Sequence, residues 1–219
     1  MPLLTPAQVA IIFDLDNTLI TSRIDFRGLR RALIDLLHAD GVTTPHEDLM
    51  RLPIPHLVAT GEARGADLGK RMWEVVLAFE REGMVDVGVM DHARDVLSAL
   101  RALGYRLALL TNNSRPATEE AMGNLGLTGY FEVIATRDDV SAPKPAPDGV
   151  MAILAHLGPS VRRSYVIGDA WIDGLAAEAA GARFIVFGER AEDARARGVH
   201  PWASVADLRR IPGLDLRGD

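Results

Sequence analysis

The chain has 219 residues, 48% hydrophobic and 25% charged, with a net charge of −6 and no cysteine. Such a composition fits a globular chain of one or two domains with a sizeable core. It excludes disulfides, thiolate catalysis and cysteine metal sites, and the acidic balance disfavours nucleic-acid or anionic-membrane partners.

The N-terminal MPLLTPAQVA lacks the basic-then-apolar order of a signal peptide, and no apolar run is long enough to span a bilayer, so a cytoplasmic location is expected. VAIIFDLD predicts a first strand, continuous rather than alternating, as for a strand buried on both faces. From about Arg23 to Met84 no strand pattern occurs. FRGLRRALIDLLHADG, HEDLMRLPIPHLVATGEARG and ADLGKRMWEVVLAFEREG each predict a helix. This stretch is too long for an ordinary connection. It is read as a helical insert over 21–86, within a core domain formed by 1–20 and 87–219. MDHARDVLSALRALG then predicts a helix, YRLALLTNN a strand, RPATEEAMGNLGL a helix and FEVIATRDD a strand. PAPDGVMAILAHLG (helix), RSYVIGDA (strand), WIDGLAAEAAG (helix) and ARFIVFG (strand) follow. The alternation predicts βαβ units in an α/β fold with a mostly parallel sheet. The tail from about Pro212 is expected to be loosely held.

Four strand ends carry or lead into unusual polar groups. The first ends in Asp14 and Asp16, the second in Thr111, Asn112 and Asn113. The third leads into Lys144, and the fourth into Asp169 with Asp173 four residues later. In an open parallel sheet the carboxyl ends share one edge, where ligands bind. These residues are therefore expected to converge. Carboxylates with one lysine in a crevice fit a hard divalent cation such as Mg²⁺ beside a phosphate. Thr111, its neighbouring backbone N–H groups and the following helix start offer donors to an anion. Lysine itself occurs only at positions 70 and 144, the other basic residues mostly being arginine. A surviving lysine in so arginine-biased a chain marks a site needing a compact ammonium. Together these groups describe phosphoryl transfer, in which an aspartate can serve as nucleophile.

DLDNT, TNN, the lysine of APKPAPD and GDAWID, in that order, resemble the four motifs of the haloacid dehalogenase-like hydrolase superfamily. The resemblance runs from about Ala10 to Phe187. It implies a Rossmann-like core with helices on both faces and the first strand central, and makes the insert similar to a C1-type cap, as in phosphoglycolate phosphatases and β-phosphoglucomutases. It implies Asp14 as nucleophile and Asp16 as general acid/base whose carbonyl also ligates the metal. It further implies Thr111 and Asn112 as phosphate-binding residues and Lys144 as the bridge between nucleophile and phosphate. Asp169 matches the metal-binding aspartate, with Asp14 and the Asp16 carbonyl as fellow ligands. Asp173 matches the second acid of its motif, acting through water or by holding Lys144. Two positions depart from the pattern: Asn17 stands where glycine is frequent, and Ala170 where serine or threonine is.

The activity so implied is a Mg²⁺-dependent phosphatase acting on a small phosphorylated metabolite through an aspartyl-phosphate. A phosphosugar mutase of the same fold and a non-catalytic binding module are the alternatives, and Asp16 disfavours a dehalogenase. Read singly, each residue has a structural alternative: Asp14 and Asp16 as turn caps, Thr111 to Asn113 as a strand-to-helix turn, and Lys144 as a solvated charge. In the insert, Arg23, Arg27, Arg51, Arg64 and Lys70 are mostly expected on solvated faces, and Trp73 and Phe79 in packing. Monomer and homodimer both remain open.

Overall fold

Five consecutive apolar residues, Val9 to Phe13, can be satisfied only where both faces of a strand are covered. In the computed structural model, which describes residues 3–218, all five are fully buried. The strands are β1 Val9–Phe13, β2 Ile20–Thr21, β3 Gly88–Val89, β4 Arg106–Leu110, β5 Val133–Ala135, β6 Arg163–Gly168, β7 Arg183–Phe187 and β8 Ala203–Val205. Six form one sheet in the order β5-β4-β1-β6-β7-β8, every neighbouring pair parallel. β2 and β3 form a separate antiparallel pair. The helices are α1 Phe26–Ala39, α2 His46–Met50, α3 Ile54–Arg64, α4 Ala66–Gly83, α5 Ala93–Ala102, α6 Arg115–Asn124, α7 Asp148–Leu157, α8 Trp171–Ala179 and α9 Ala191–Ala196.

The chain divides into two compact units. One is built from the chain up to Thr21 and from Gly88 onward, the other from Ser22–Val87. In the first unit the period of two along β1 is visible in its packing. Ala10 and Ile12 join a cluster with Val150 and Ile153 of α7 and Ala176 of α8. Ile11 and Phe13 alternate to the opposite face and are equally buried. Register then sets the functional edge. Phe13 lies opposite both Leu109 and Ile167, so the next residues of β1, β4 and β6 emerge at one level.

The second unit is a small helical body with its own core. Leu29, Leu33 and Leu37 form an i, i+4 stripe on α1 and pack with Leu57, Val58, Leu68, Met72 and Val76. Trp73 and Phe79 pack against this cluster. The Asp25 carboxylate caps α1 by accepting from the Gly28 N–H at 2.8 Å. Lys70 is exposed, and Arg64 pairs with Asp40.

Three expectations change. The single helix expected over HEDLMRLPIPHLVATGEARG is two, α2 and α3. Pro53 lacks an N–H and pushes Leu52 out of the helical region, so the chain restarts with Pro55 in the first turn of α3. β8 and the β2–β3 pair, two or three residues each, are too short to leave a periodic signal. The tail is tied down rather than loose. Leu216 is 1% exposed, Tyr165 Oη donates to the Leu216 carbonyl at 3.2 Å, and the Arg163 guanidinium donates to the Gly218 carbonyl. A buried tyrosine hydroxyl needs an acceptor, and here the tail supplies it. No described helix is long and apolar enough to cross a membrane.

Leu216→Ala should therefore lower the unfolding free energy by about 2–4 kcal/mol in urea titrations, the range for a buried leucine. An unchanged midpoint would return the tail to a solvated appendage.

Candidate active site

β1 ends at Phe13, and the chain must turn at once. Leu19 and Ile20 N–H both reach the Leu15 carbonyl, at 2.9 and 3.1 Å, and the Asn17 N–H reaches Ile20 O at 2.8 Å. This tight turn places Asn17 at φ 55°, the left-handed region that asparagine tolerates better than most residues. It answers the departure from glycine at this position. Asp14 is tied to the sheet by its N–H to the Ile167 carbonyl at 2.8 Å, and Thr111 by its N–H to Ala135 at 3.0 Å. Asp14, Asp16, Thr111, Lys144, Asp169 and Asp173 are all buried.

Lys144 is the centre. Its side chain is 3% exposed, and its three ammonium hydrogens have three acceptors: Asp14 Oδ1 at 2.6 Å, Asp173 Oδ1 at 2.6 Å and the Leu110 carbonyl at 3.1 Å. Burial alone would lower the ammonium pKa, but Asp14 and Asp173 outweigh it and hold Lys144 charged. Asp173 is held in turn: its Oδ2 accepts from the Ala170 N–H at 3.1 Å. Gly168 makes room for it, since a Cβ there would lie 2.4 Å from Asp173 Cγ and Oδ2. Larger residues at 168 would push Asp173 off Lys144.

Asn112 and Asn113 do different work although adjacent. The Asn112 side chain grips the Lys144 backbone at both ends, Nδ2 donating to its carbonyl at 2.8 Å and Oδ1 accepting its N–H at 2.9 Å. Its amide is thus spent on fixing the lysine loop, and what it can offer a phosphate is its backbone. Asn113 Nδ2 donates to Asp16 Oδ2 at 2.6 Å, and its N–H donates to Thr111 Oγ1 at 3.1 Å. The helix start expected to offer donors is partly closed. The Arg115 N–H, first in α6, is bound by Asp138 Oδ2 at 2.8 Å, and Pro116 has none to give.

The charge is one-sided. Four carboxylates, of Asp14, Asp16, Asp169 and Asp173, face one buried ammonium. Burial pushes the Asp14 carboxyl up, Lys144 pulling against it and the neighbouring acids adding to it. Burial, then Asp173, raises Asp169 to about 6. Oxygens of Asp14, Asp169 and Asp173 lie within 4.8 Å of one another. Asp173 commits both its oxygens, to Lys144 and to the Ala170 N–H. Asp14 gives one oxygen to Lys144, and Asp169 meets the exposed Arg190, whose Nη1 is 3.5 Å from Oδ2. Asp14 and Asp169 are therefore the carboxylates suited to an ion. Hard oxygen donors, raised carboxyl pKa values and unbalanced negative charge all fit a divalent cation of the Mg²⁺ type.

All seven residues given a site role from the sequence thus belong to the core unit, and ion pairs link Asp14, Lys144 and Asp173 directly. Asn113, Asp138 and Arg190 were given no role from the sequence. Asn113 was visible within TNN. Arg190 follows the end of β7, at the same sheet edge, and that position was its available signal.

Residues 9–181 match the family model of haloacid dehalogenase-like hydrolases. The chain is 30% identical to pyrophosphatase PpaX of Bacillus pumilus over 79% of this chain and 80% of that protein. It is 31% identical to phosphoglycolate phosphatase of Yersinia pestis, over 78% and 77% respectively. Its fold is similar to the crystal structure of a hydrolase from Pseudomonas syringae, with a TM-score of 0.72 over 95% of this chain and 98% of that one, at 22% identity. With a parallel sheet, the motif residues at its carboxyl edge and a family match over most of its length, the chain belongs to the haloacid dehalogenase-like hydrolases.

Proposed function

We propose that the chain is a cytoplasmic, Mg²⁺-dependent phosphatase that hydrolyses a small phosphorylated metabolite through a phosphorylated Asp14. The observation that carries this reading is the Lys144 ammonium, 2.6 Å from both Asp14 and Asp173. An anionic nucleophile attacking an anionic phosphate needs a fixed positive charge beside it. The names of the relatives, a pyrophosphatase and a phosphoglycolate phosphatase, support a small phosphate-bearing substrate.

In this reading an Asp14 oxygen attacks phosphorus, an O–P bond forms, and the bond to the leaving oxygen breaks. Asp16 protonates that oxygen. Water then attacks the acyl phosphate, Asp16 takes its proton, and Asp14 is regenerated as phosphate departs. Asn113 holds Asp16 through the 2.6 Å bond to Oδ2. The Thr111 hydroxyl donates to a phosphoryl oxygen, Lys144 holds its positive charge against the attacking Asp14, and Asn112 acts by fixing the Lys144 backbone. Mg²⁺, held by Asp14, Asp169 and the Asp16 carbonyl, would supply further charge neutralisation at the phosphoryl group.

Phosphate release from a panel of small phosphoesters, with Mg²⁺ and with chelator, tests the reading. Mg²⁺-dependent release is expected. Isomerised sugar phosphate without release would establish a mutase instead. Asp14→Asn should reduce turnover by at least about 10³-fold while leaving the fold intact by circular dichroism, as removal of a covalent nucleophile does.

Asp169 gives a pH-dependent stability. Its folded pKa, about 6, lies above the ordinary 3.8. Its contribution is therefore fully present below 3.8 and is lost as pH rises through 6. In chelator near neutral pH, Asp169→Asn should raise the unfolding free energy by roughly 1–3 kcal/mol. Added Mg²⁺ should stabilise the natural chain and not the variant; equal stabilisation of both would remove Asp169 from the metal site.

A further inference from the structure

Arg190 is unlike the other cations near the site. Lys144 is enclosed and fully engaged. The Arg190 side chain is 58% exposed, on the turn between β7 and α9, with its Nη1 3.5 Å from Asp169 Oδ2. The turn leaves the sheet at its carboxyl edge: Gly188, at φ 79°, donates its N–H to the Val205 carbonyl at 2.9 Å. Of the acids in the following turn, Asp193 is already paired with Arg197 at 3.3 Å. The guanidinium thus stands over a buried carboxylate, from the solvent side and through a long, loosely fixed contact.

Two physical consequences follow. A guanidinium and a divalent cation cannot both lie against Asp169 without repulsion, so they compete for it. Once displaced, the guanidinium is a mobile planar donor at the rim of a phosphate site, with geometry matched to a carboxylate or a second phosphate.

We propose that Arg190 is a specificity residue that reads a second anionic group on the phosphoester. In the metal-free chain it rests on Asp169, and cation binding there releases it to that group. The inference rests on the phosphatase reading for its substrate half and is independent of it for the competition half. It favours phosphoesters with a carboxylate or second phosphate near the transferred phosphoryl over neutral ones of equal size.

Two measurements on Arg190→Gln and Arg190→Lys test it. The first is a Mg²⁺ titration followed by thermal unfolding, with no substrate present. Arg190→Gln should bind Mg²⁺ about 3- to 10-fold more tightly than the natural chain, as expected on removing a competing charge at a partly exposed site. Arg190→Lys should fall between the two. The second compares kcat/KM for phosphoglycolate and for 2-hydroxyethyl phosphate, which lacks the carboxylate. Arg190→Gln should lose at least about tenfold more on phosphoglycolate than on the neutral ester, mainly in KM, the size of one lost charged contact. An unchanged Mg²⁺ affinity would overturn the competition, and equal losses on both esters would overturn the specificity role. Failure of the natural chain to release phosphate from these two esters and from the wider panel would overturn the phosphatase reading and the substrate half with it. The titration would still decide the competition.

Discussion

The buried ammonium of Lys144 between Asp14 and Asp173 is the constraint on which the site depends. Ionised groups leave water at a cost of several kcal/mol each, and a buried pair offsets this only when its geometry is good and its remaining donors are met. Here all three donors are met, two by carboxylates at 2.6 Å and one by the Leu110 carbonyl at 3.1 Å. Removing any partner leaves a charge stranded in the core. The arrangement around the lysine can be understood as the means of keeping those three distances. Asn112 fixes the lysine backbone, the Ala170 N–H fixes Asp173, and Gly168 leaves space for it.

Topology makes this possible for residues 130 positions apart in sequence. In a parallel sheet all carboxyl ends lie on one edge. With Phe13 level with Leu109 and Ile167, the three strands reach the carboxyl edge together, so Asp14, Thr111 and Asp169 leave the sheet side by side. A shift of one residue in any of these pairings would turn the apolar run and break the level together. The packing that buries Ile11 and Ile12 therefore also sets the site geometry.

Much of this was legible in the chain because the signals were strong and local. Continuous apolar runs marked the five principal strands, and polar residues at their ends marked the edge where ligands bind. What was not legible depended on side-chain direction or on very short elements. Sequence order cannot say that the Asn112 amide faces the Lys144 backbone while that of Asn113 faces Asp16. The closure of the α6 start by Asp138, from the segment after β5, is a contact across 23 residues. The tail was misread because polar residues around Leu216 hid one apolar anchor and an acceptor for Tyr165. Pro53 and Pro55 were in plain view. Apolar residues at helical spacing, Leu49 and Leu52 before Pro53 and Leu57 and Val58 after Pro55, favoured one helix, and the backbone constraint overrode it.

The excess of carboxylates over ammonium ties stability to function. A core chosen for stability alone would not gather Asp14, Asp16, Asp169 and Asp173 behind one lysine. Burial raises Asp169 to about 6, which measures how poorly the chain by itself accommodates that charge. The same unrelieved field is what suits the site to a hard cation, and an exposed guanidinium lies against it at 3.5 Å. Strain of this electrostatic kind is stored where a ligand can relieve it. It is supported by the fully apolar strand that ends immediately before Asp14.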